Sequence, residues 1–228
     1  MRNAGANSIA RVHVQNVGIV LTVRVRNVMS KANSFWVLYS HNTQPTLHPE
    51  AGKDGQPLQR NAALAYVKRW RVCLDIGSNV GQWTRPLAKK FESVVCFEPN
   101  PNFRDCFKKN IPENNVVLWP YGLSDSEHTA RQDYNSTVLQ KEPGDINCRT
   151  LDSFGLTNVD FVKIDVDGFE LPLLQGARRT LTNNDPVVNI EMKRGKRQSI
   201  TEKCESLLKD LGYKFQKRTK SDEVWLKS

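Results

Sequence analysis

From Arg71 onward, short apolar runs alternate with amphipathic stretches at the spacing of βαβ units. The pattern predicts strands over 72–76, 94–98, 116–119, 160–165, 187–191, 214–218 and 223–227. The first five are short, largely apolar runs, the kind buried on both faces of a parallel sheet. The last two are separated only by residues 219–222, close enough for an antiparallel hairpin. Helices between them have legible ends. Asn100 can cap a helix with Pro101 at its first position, which puts Phe103 and Phe107 on one face. Ser199 and Glu202 have the spacing of a capping box, with Cys204, Leu207, Leu208 and Leu211 facing inward and Gly212 as the stop. Phe169, Leu173, Ala177 and Leu181 recur every four residues, as on a single helix with Pro172 in its first turn. A short helix is expected over 58–70. Pro86 requires the helix after Gly81 either to begin near Thr84 or to kink.

Residues 1–56 read differently and are taken as a basic N-terminal extension: an arm, a lid or a substrate-binding element. Val12, Val14, Val17, Ile19, Leu21, Val23 and Val25 alternate with other residues as in a strand. Residues 43–57 are rich in Pro, Gly and polar side chains and suit a loop or linker.

Composition narrows the class without deciding it. At 228 residues, 39% hydrophobic and 25% charged, the chain fits one globular domain with an arm. Its formal charge of +9 is uneven. Residues 1–70 hold nine Lys/Arg against two Asp/Glu, whereas residues 71–228 are nearly balanced. The arm is where a phosphate backbone, an acidic surface or an anionic glycan would bind, although a solvated extension fits equally well. Five widely spaced cysteines without a C-x-x-C pair suggest a reducing compartment and no zinc site. No apolar run is long enough to span a bilayer, so a cytoplasmic protein is expected.

The chemistry gathers where the first two core strands end. Residues 72–81 read V-C-L-D-I-G-S-N-V-G, and Glu98 ends the next strand twenty-three residues after Asp75. Gly77 and Gly81 allow a sharp turn and a close ligand approach, and a carboxylate at Glu98 can accept from both hydroxyls of a ribose. A pyrophosphate would be repelled by Asp75, whereas a sulfonium or ammonium would be attracted. The loop therefore favours S-adenosylmethionine over a dinucleotide. Asp165 and Glu191 end two further strands, so four acidic residues converge on one sheet edge.

These residues resemble the FkbM-type methyltransferases. The resemblance rests on L-D-I-G-S-N-V-G, F-E-P-N-P at 97–101, G-L-S-D at 122–125, T-L-D-S-F at 150–154 and V-K-I-D-V-D-G-F-E-L-P-L-L-Q-G-A at 162–177. It covers roughly residues 71–192 and implies an α/β class I methyltransferase (Rossmann-like) domain over 57–228. Such a domain has a seven-stranded sheet with the last strand antiparallel, and it usually methylates a hydroxyl oxygen. Carried onto this chain, Asp75, Gly77, Ser78, Asn79 and Gly81 would surround the methionine portion of the cofactor. Glu98 would hold the ribose, Pro99 and Asn100 would line the adenosine, and Ser124 and Asp125 would lie near the adenine.

An aliphatic hydroxyl needs a base or a metal to lose its proton near neutral pH. Asp165 is the first choice for that role. Glu191 can complete a carboxylate pair with it, as base or around a hard cation such as magnesium. Asp167 and Glu170 suit a helix N-terminus better than catalysis. Residues 165–170 are too short for a calcium loop. Lys163 shares the face of Asp165 and can serve as its partner or as a substrate contact. His128, in the insertion over 126–149, is a weaker candidate base. The acceptor is expected to be a hydroxyl of a sugar, glycan or small metabolite. The alternatives are a nucleic-acid ribose 2'-O-methyltransferase, with the basic arm on the nucleic acid, and a non-catalytic module that binds the cofactor.

Overall fold

The computed structural model describes residues 9–13, 20–24, 35–37, 46–48, 56–132, 139–140, 143–193, 195 and 197–227. In the extension, β1 (Ile9–His13) pairs antiparallel with β2 (Val20–Arg24), so the alternating run is two strands, with Val14, Val17, Ile19 and Val25 outside the described residues. β3 (Phe35–Val37) pairs antiparallel with β4 (Thr46–His48), which places a strand inside the expected linker. Phe35 is buried against Val80, Phe103 and Cys106, so this part of the extension docks on the domain.

α1 (Pro57–Leu64) is shorter than the 58–70 expected, because turns at Tyr66 and Val67 redirect the chain into the sheet. The central strands follow the apolar runs to within a residue or two. They are β5 (Val72–Ile76), β6 (Ser93–Phe97), β7 (Val116–Trp119), β12 (Val159–Ile164), β13 (Val187–Glu191), β14 (Tyr213–Thr219) and β15 (Asp222–Lys227). Their order is β14-β15-β13-β12-β5-β6-β7, and β15 runs antiparallel to both its neighbours. Helices α2 (Thr84–Ala88), α3 (Pro101–Asn110), α4 (Glu170–Gln175), α5 (Arg178–Asn184) and α6 (Gln198–Asp210) complete the α/β architecture. The largest core cluster packs Leu74, Ile76, Val162 and Ile164 against Leu173 and Leu208, and a second packs Cys73, Val94 and Phe161 against Leu64 and Leu87. Chain order reverses between β5 and β12, so the crevice at their carboxyl ends is the natural ligand site.

One helix alternative is decided and two helix expectations meet corrections. α2 begins at Thr84, which leaves Pro86 in the first turn without a kink. Ser199 does not cap α6. It lies inside a helix whose first turn carries no side-chain cap, and Glu202 instead accepts from Gln198 Nε2 at 2.8 Å. The Phe169-to-Leu181 run is two helices rather than one, although all four apolar residues are buried as their spacing requires. The break falls at Gly176, where a Cβ would sit 2.0 Å from the Ser124 carbonyl oxygen. Gly176→Ala should therefore destabilise the fold by about 1–3 kcal/mol or more, read as a lower denaturation midpoint. An unchanged midpoint would show that the 122–125 segment yields freely.

A second sheet lay outside the sequence pattern. After β7 the chain forms β8 (Gly122–Leu123), β9 (His128–Gln132), β10 (Leu139–Gln140) and β11 (Ile146–Arg149), ordered β10-β9-β11-β8. Among the described residues, no helix is long and apolar enough to cross a membrane, and all five cysteines are free and buried.

Candidate functional site

A cavity of about 190 Å³ opens at the carboxyl ends of β5, β6 and β12. Of the residues expected there, Gly77, Ser78, Asn79, Glu98, Pro99 and Asp165 line it. Its floor is set by the contact between β5 and β12. Asp165 N donates to Ile76 O at 3.1 Å, and a Cβ on Gly77 would stand 1.8 Å from Asp165 O. With φ at +75°, Gly77 is required both by its conformation and by that contact.

Glu98 organises the loop above. Its Oε2 accepts from Asn79 N at 2.9 Å and its Oε1 from Asn100 N at 2.8 Å, with Asn79 itself at φ +50°. Burial pushes the carboxyl up to about 7 against the pull of those two N–H groups. Asn100 caps α3 as its sequence suggests, accepting from Asn102 N at 2.9 Å. It supports Glu98 from behind and does not line the cavity.

Several expected contacts are displaced. Asp75 is wholly buried beneath the floor and turned toward α2, where its Oδ2 accepts from Thr84 Oγ1 at 2.6 Å. Lys163 Nζ lies 3.4 Å from its Oδ1. Gly81 serves helix packing, since a Cβ there would meet Ile111 Cδ1 at 2.7 Å and Phe107 Cδ2 at 3.3 Å. Ser124 and Asp125 fall outside the cavity because the Ser124 backbone is packed on Gly176, and the wall is made by Tyr121, Gly122 and Leu123 instead. His128 lies on β9 away from the cavity, its Nδ1 3.1 Å from Ser126 O.

Asp165 and Asp167 of the wall form a cluster with Glu191, in which one oxygen of each lies within 4.8 Å of the others. Lys193 completes this cluster. Its ammonium ion-pairs with Asp167, and with Glu191 Oε2 at 2.9 Å. The two carboxylates raise its pKa despite partial burial. A fixed cation thus already occupies the carboxylate set that suggested magnesium. Burial and the neighbouring Asp165 together push Glu191 up to about 7. Glu170 stands in the first turn of α4 and accepts from Gly168 N at 2.9 Å, but α4 has no side-chain cap, and Asp167 belongs to the cavity wall.

Gln56, Gln82, Trp83, Tyr121 and Gln132 also line the wall, and sequence reasoning missed them. Trp83 Nε1 donates to Gln56 Oε1 at 2.5 Å. A buried indole N–H that needs an acceptor was the available signal. Ser78 Oγ is buried in the wall without a partner, and Ser78 and Glu98 offer polar atoms beside the aromatic rings of Trp83 and Tyr121. That combination fits a nucleoside with a polar tail.

The profile of the methyltransferase FkbM domain matches residues 75–215, well over half of the chain. The chain belongs to the FkbM methyltransferase family. Hexuronic acid methyltransferase AglP of Haloferax volcanii is 28% identical over 130 residues, covering 51% of this chain and 54% of the relative. The chain thus spans about half the length of that curated relative. A methyltransferase FkbM from Methylobacillus flagellatus superposes with a TM-score of 0.52 at 18% identity, over 69% of this chain and 44% of that one. A ribosomal protein L11 methylase from Lactobacillus delbrueckii gives 0.52 at 12% identity, over 75% and 77% of the two chains. At such identities the structures share the fold, and this FkbM chain has the class I, Rossmann-like sheet of methyltransferases.

Proposed function

We propose that the chain transfers a methyl group from S-adenosylmethionine to a hydroxyl oxygen of a sugar, glycan or small metabolite. The reading is carried by one observation: Asp165 and Asp167 line the same cavity as Glu98 and form one carboxylate cluster with Glu191. When bound, S-adenosylmethionine supplies an electrophilic methyl carbon. Gly77, Ser78 and Asn79 would hold its amino-acid portion, Glu98 and Pro99 its ribose and Tyr121 to Leu123 its base. Asp165 and Glu191, which meet in one carboxylate cluster, would take the acceptor's proton.

Calorimetric titration with S-adenosylhomocysteine tests the cofactor half, with NAD as control. Micromolar binding of the first alone supports it, and binding of neither removes it. Acceptor screening should start with hexuronic acids, on the strength of the relative's name, with and without EDTA. Loss of turnover in EDTA that magnesium restores would mean that the metal displaces the Lys193 ammonium. With any acceptor found, turnover should fall as pH drops below about 7, because the pair must be free to accept a proton and Glu191 holds one more tightly than an ordinary carboxylate. A profile flat from pH 6 to 8 would remove the pair from the proton transfer.

A nucleic-acid ribose acceptor is the weaker reading. Lys163 and Lys193, the lysines beside the acidic strand ends, are both engaged by carboxylates and lay no basic track along the cavity. Activity on RNA that falls steeply with salt would reverse that preference. Turnover with any acceptor would exclude a non-catalytic module. The five free cysteines suit a reducing, cytoplasmic setting.

A further inference from the structure

Three carboxylates line the cavity, Glu98, Asp165 and Asp167, and among the described residues one cation, Lys163, lines it with them. Lys163 is an unusual occupant of a central strand. On β12 it lies between Asp75 of β5 and Asn189 of β13, and it is 3% exposed. Its ammonium donates to Gly77 O at 2.8 Å and stands 3.4 Å from Asp75 Oδ1 and 3.7 Å from Asp165 Oδ2. Burial works against the charge, yet Asp75 and Asp165 outweigh it, and the ammonium is held more firmly than an ordinary lysine's. The same group thus pins the loop carbonyl after β5, balances a carboxylate sealed below the floor and flanks the carboxylate at the cavity's acceptor end.

An acidic cavity with aromatic walls attracts cations, and the two forms of the cofactor differ by one positive charge on sulfur. Without Lys163, Asp75 and Asp165 would act on that charge without the ammonium that now faces them, whereas Asp167 keeps its Lys193 partner. We infer that Lys163 is a positioning residue that sets how the site discriminates the sulfonium from the thioether left after transfer, by offsetting the field of Asp75 and Asp165 beneath the Gly77 loop. This rests on the S-adenosylmethionine reading above. A purely structural lysine would alter both affinities together, whereas one acting through its charge must alter their ratio.

The test is calorimetric titration of the whole chain and its variants with S-adenosylmethionine and, separately, S-adenosylhomocysteine. The buffer is held well above the range where Glu98 and Glu191 titrate. Lys163→Met should shift the affinity ratio toward the sulfonium by about three- to twentyfold, the effect of one unscreened charge at cavity distances. Lys163→Arg should keep the ratio near its starting value even if both affinities fall. Asp75→Asn preserves size and the Thr84 hydrogen bond and leaves Lys163 less opposed, so it should shift the ratio by a similar factor toward the thioether. That second variant decides the matter if Lys163→Met, with Asp75 uncompensated, fails to fold. Opposite shifts support the inference, and a constant ratio in folded Lys163→Met or in Asp75→Asn overturns it. Failure of the unaltered protein to bind either ligand would instead overturn the cofactor reading, and the inference with it.

Discussion

Replacing Asp165 by asparagine should lower turnover of a hydroxyl acceptor about a hundred- to ten-thousandfold, while S-adenosylhomocysteine affinity changes only a few-fold. Asparagine keeps the size and the backbone contacts at the carboxyl end of β12, so the Gly77 loop should stay in place. What it removes is a proton acceptor whose side chain is 28% exposed at the cavity and lies beside Glu191. The two halves of the site thereby separate in a single variant. Measured side by side, a collapse in turnover with affinity preserved identifies the base. A parallel collapse of both would make Asp165 part of the cofactor cradle, and full turnover would move the chemistry elsewhere.

The second large effect belongs to Glu98→Ala. Loss of one or two charge-assisted hydrogen bonds to a ribose would weaken binding by about 1.5–3 kcal/mol, roughly ten- to more than a hundredfold. The structure adds a further cost. Both oxygens already accept from backbone, so alanine strands the N–H groups of Asn79 and Asn100 and loosens the loop before any ligand arrives. S-adenosylhomocysteine affinity should therefore fall at least a hundredfold, with a lower thermal midpoint. Glu98→Gln keeps one acceptor oxygen and should recover most of the stability but little of the affinity. Equal affinity in the alanine variant would refute the ribose assignment.

How far these features could be read from the sequence followed a physical rule. The central parallel strands were legible because a strand covered on both faces is largely apolar, and β5 and β13 begin and end where their runs do. Glu98 and Asp165 were legible because the carboxyl ends of such strands face the ligand crevice. Three kinds of feature were not. The four strands β8 to β11 are short and mostly polar, so no period stands out. The break at Gly176 is imposed by a neighbour distant in sequence, the Ser124 carbonyl, which leaves the helical spacing undisturbed. The direction of a side chain at a strand end is set by its partners, so only coordinates could show that Asp75 turns to Thr84 and Lys163 rather than to the cavity.

Gly81 has a meaning for ancestry as well as for packing. A side chain there would collide with Ile111 and Phe107, whatever the cavity holds. Selection on this position would then act through the helix behind the loop, and descendants that had lost methyl transfer would still keep the glycine for as long as residue 111 stayed large. The second glycine of D-x-G-x-x-x-G is in that sense a heritable mark of lineage, and Asp165, rather than the loop-holding Glu98, is the position at which loss of the activity should first become visible in a descendant sequence.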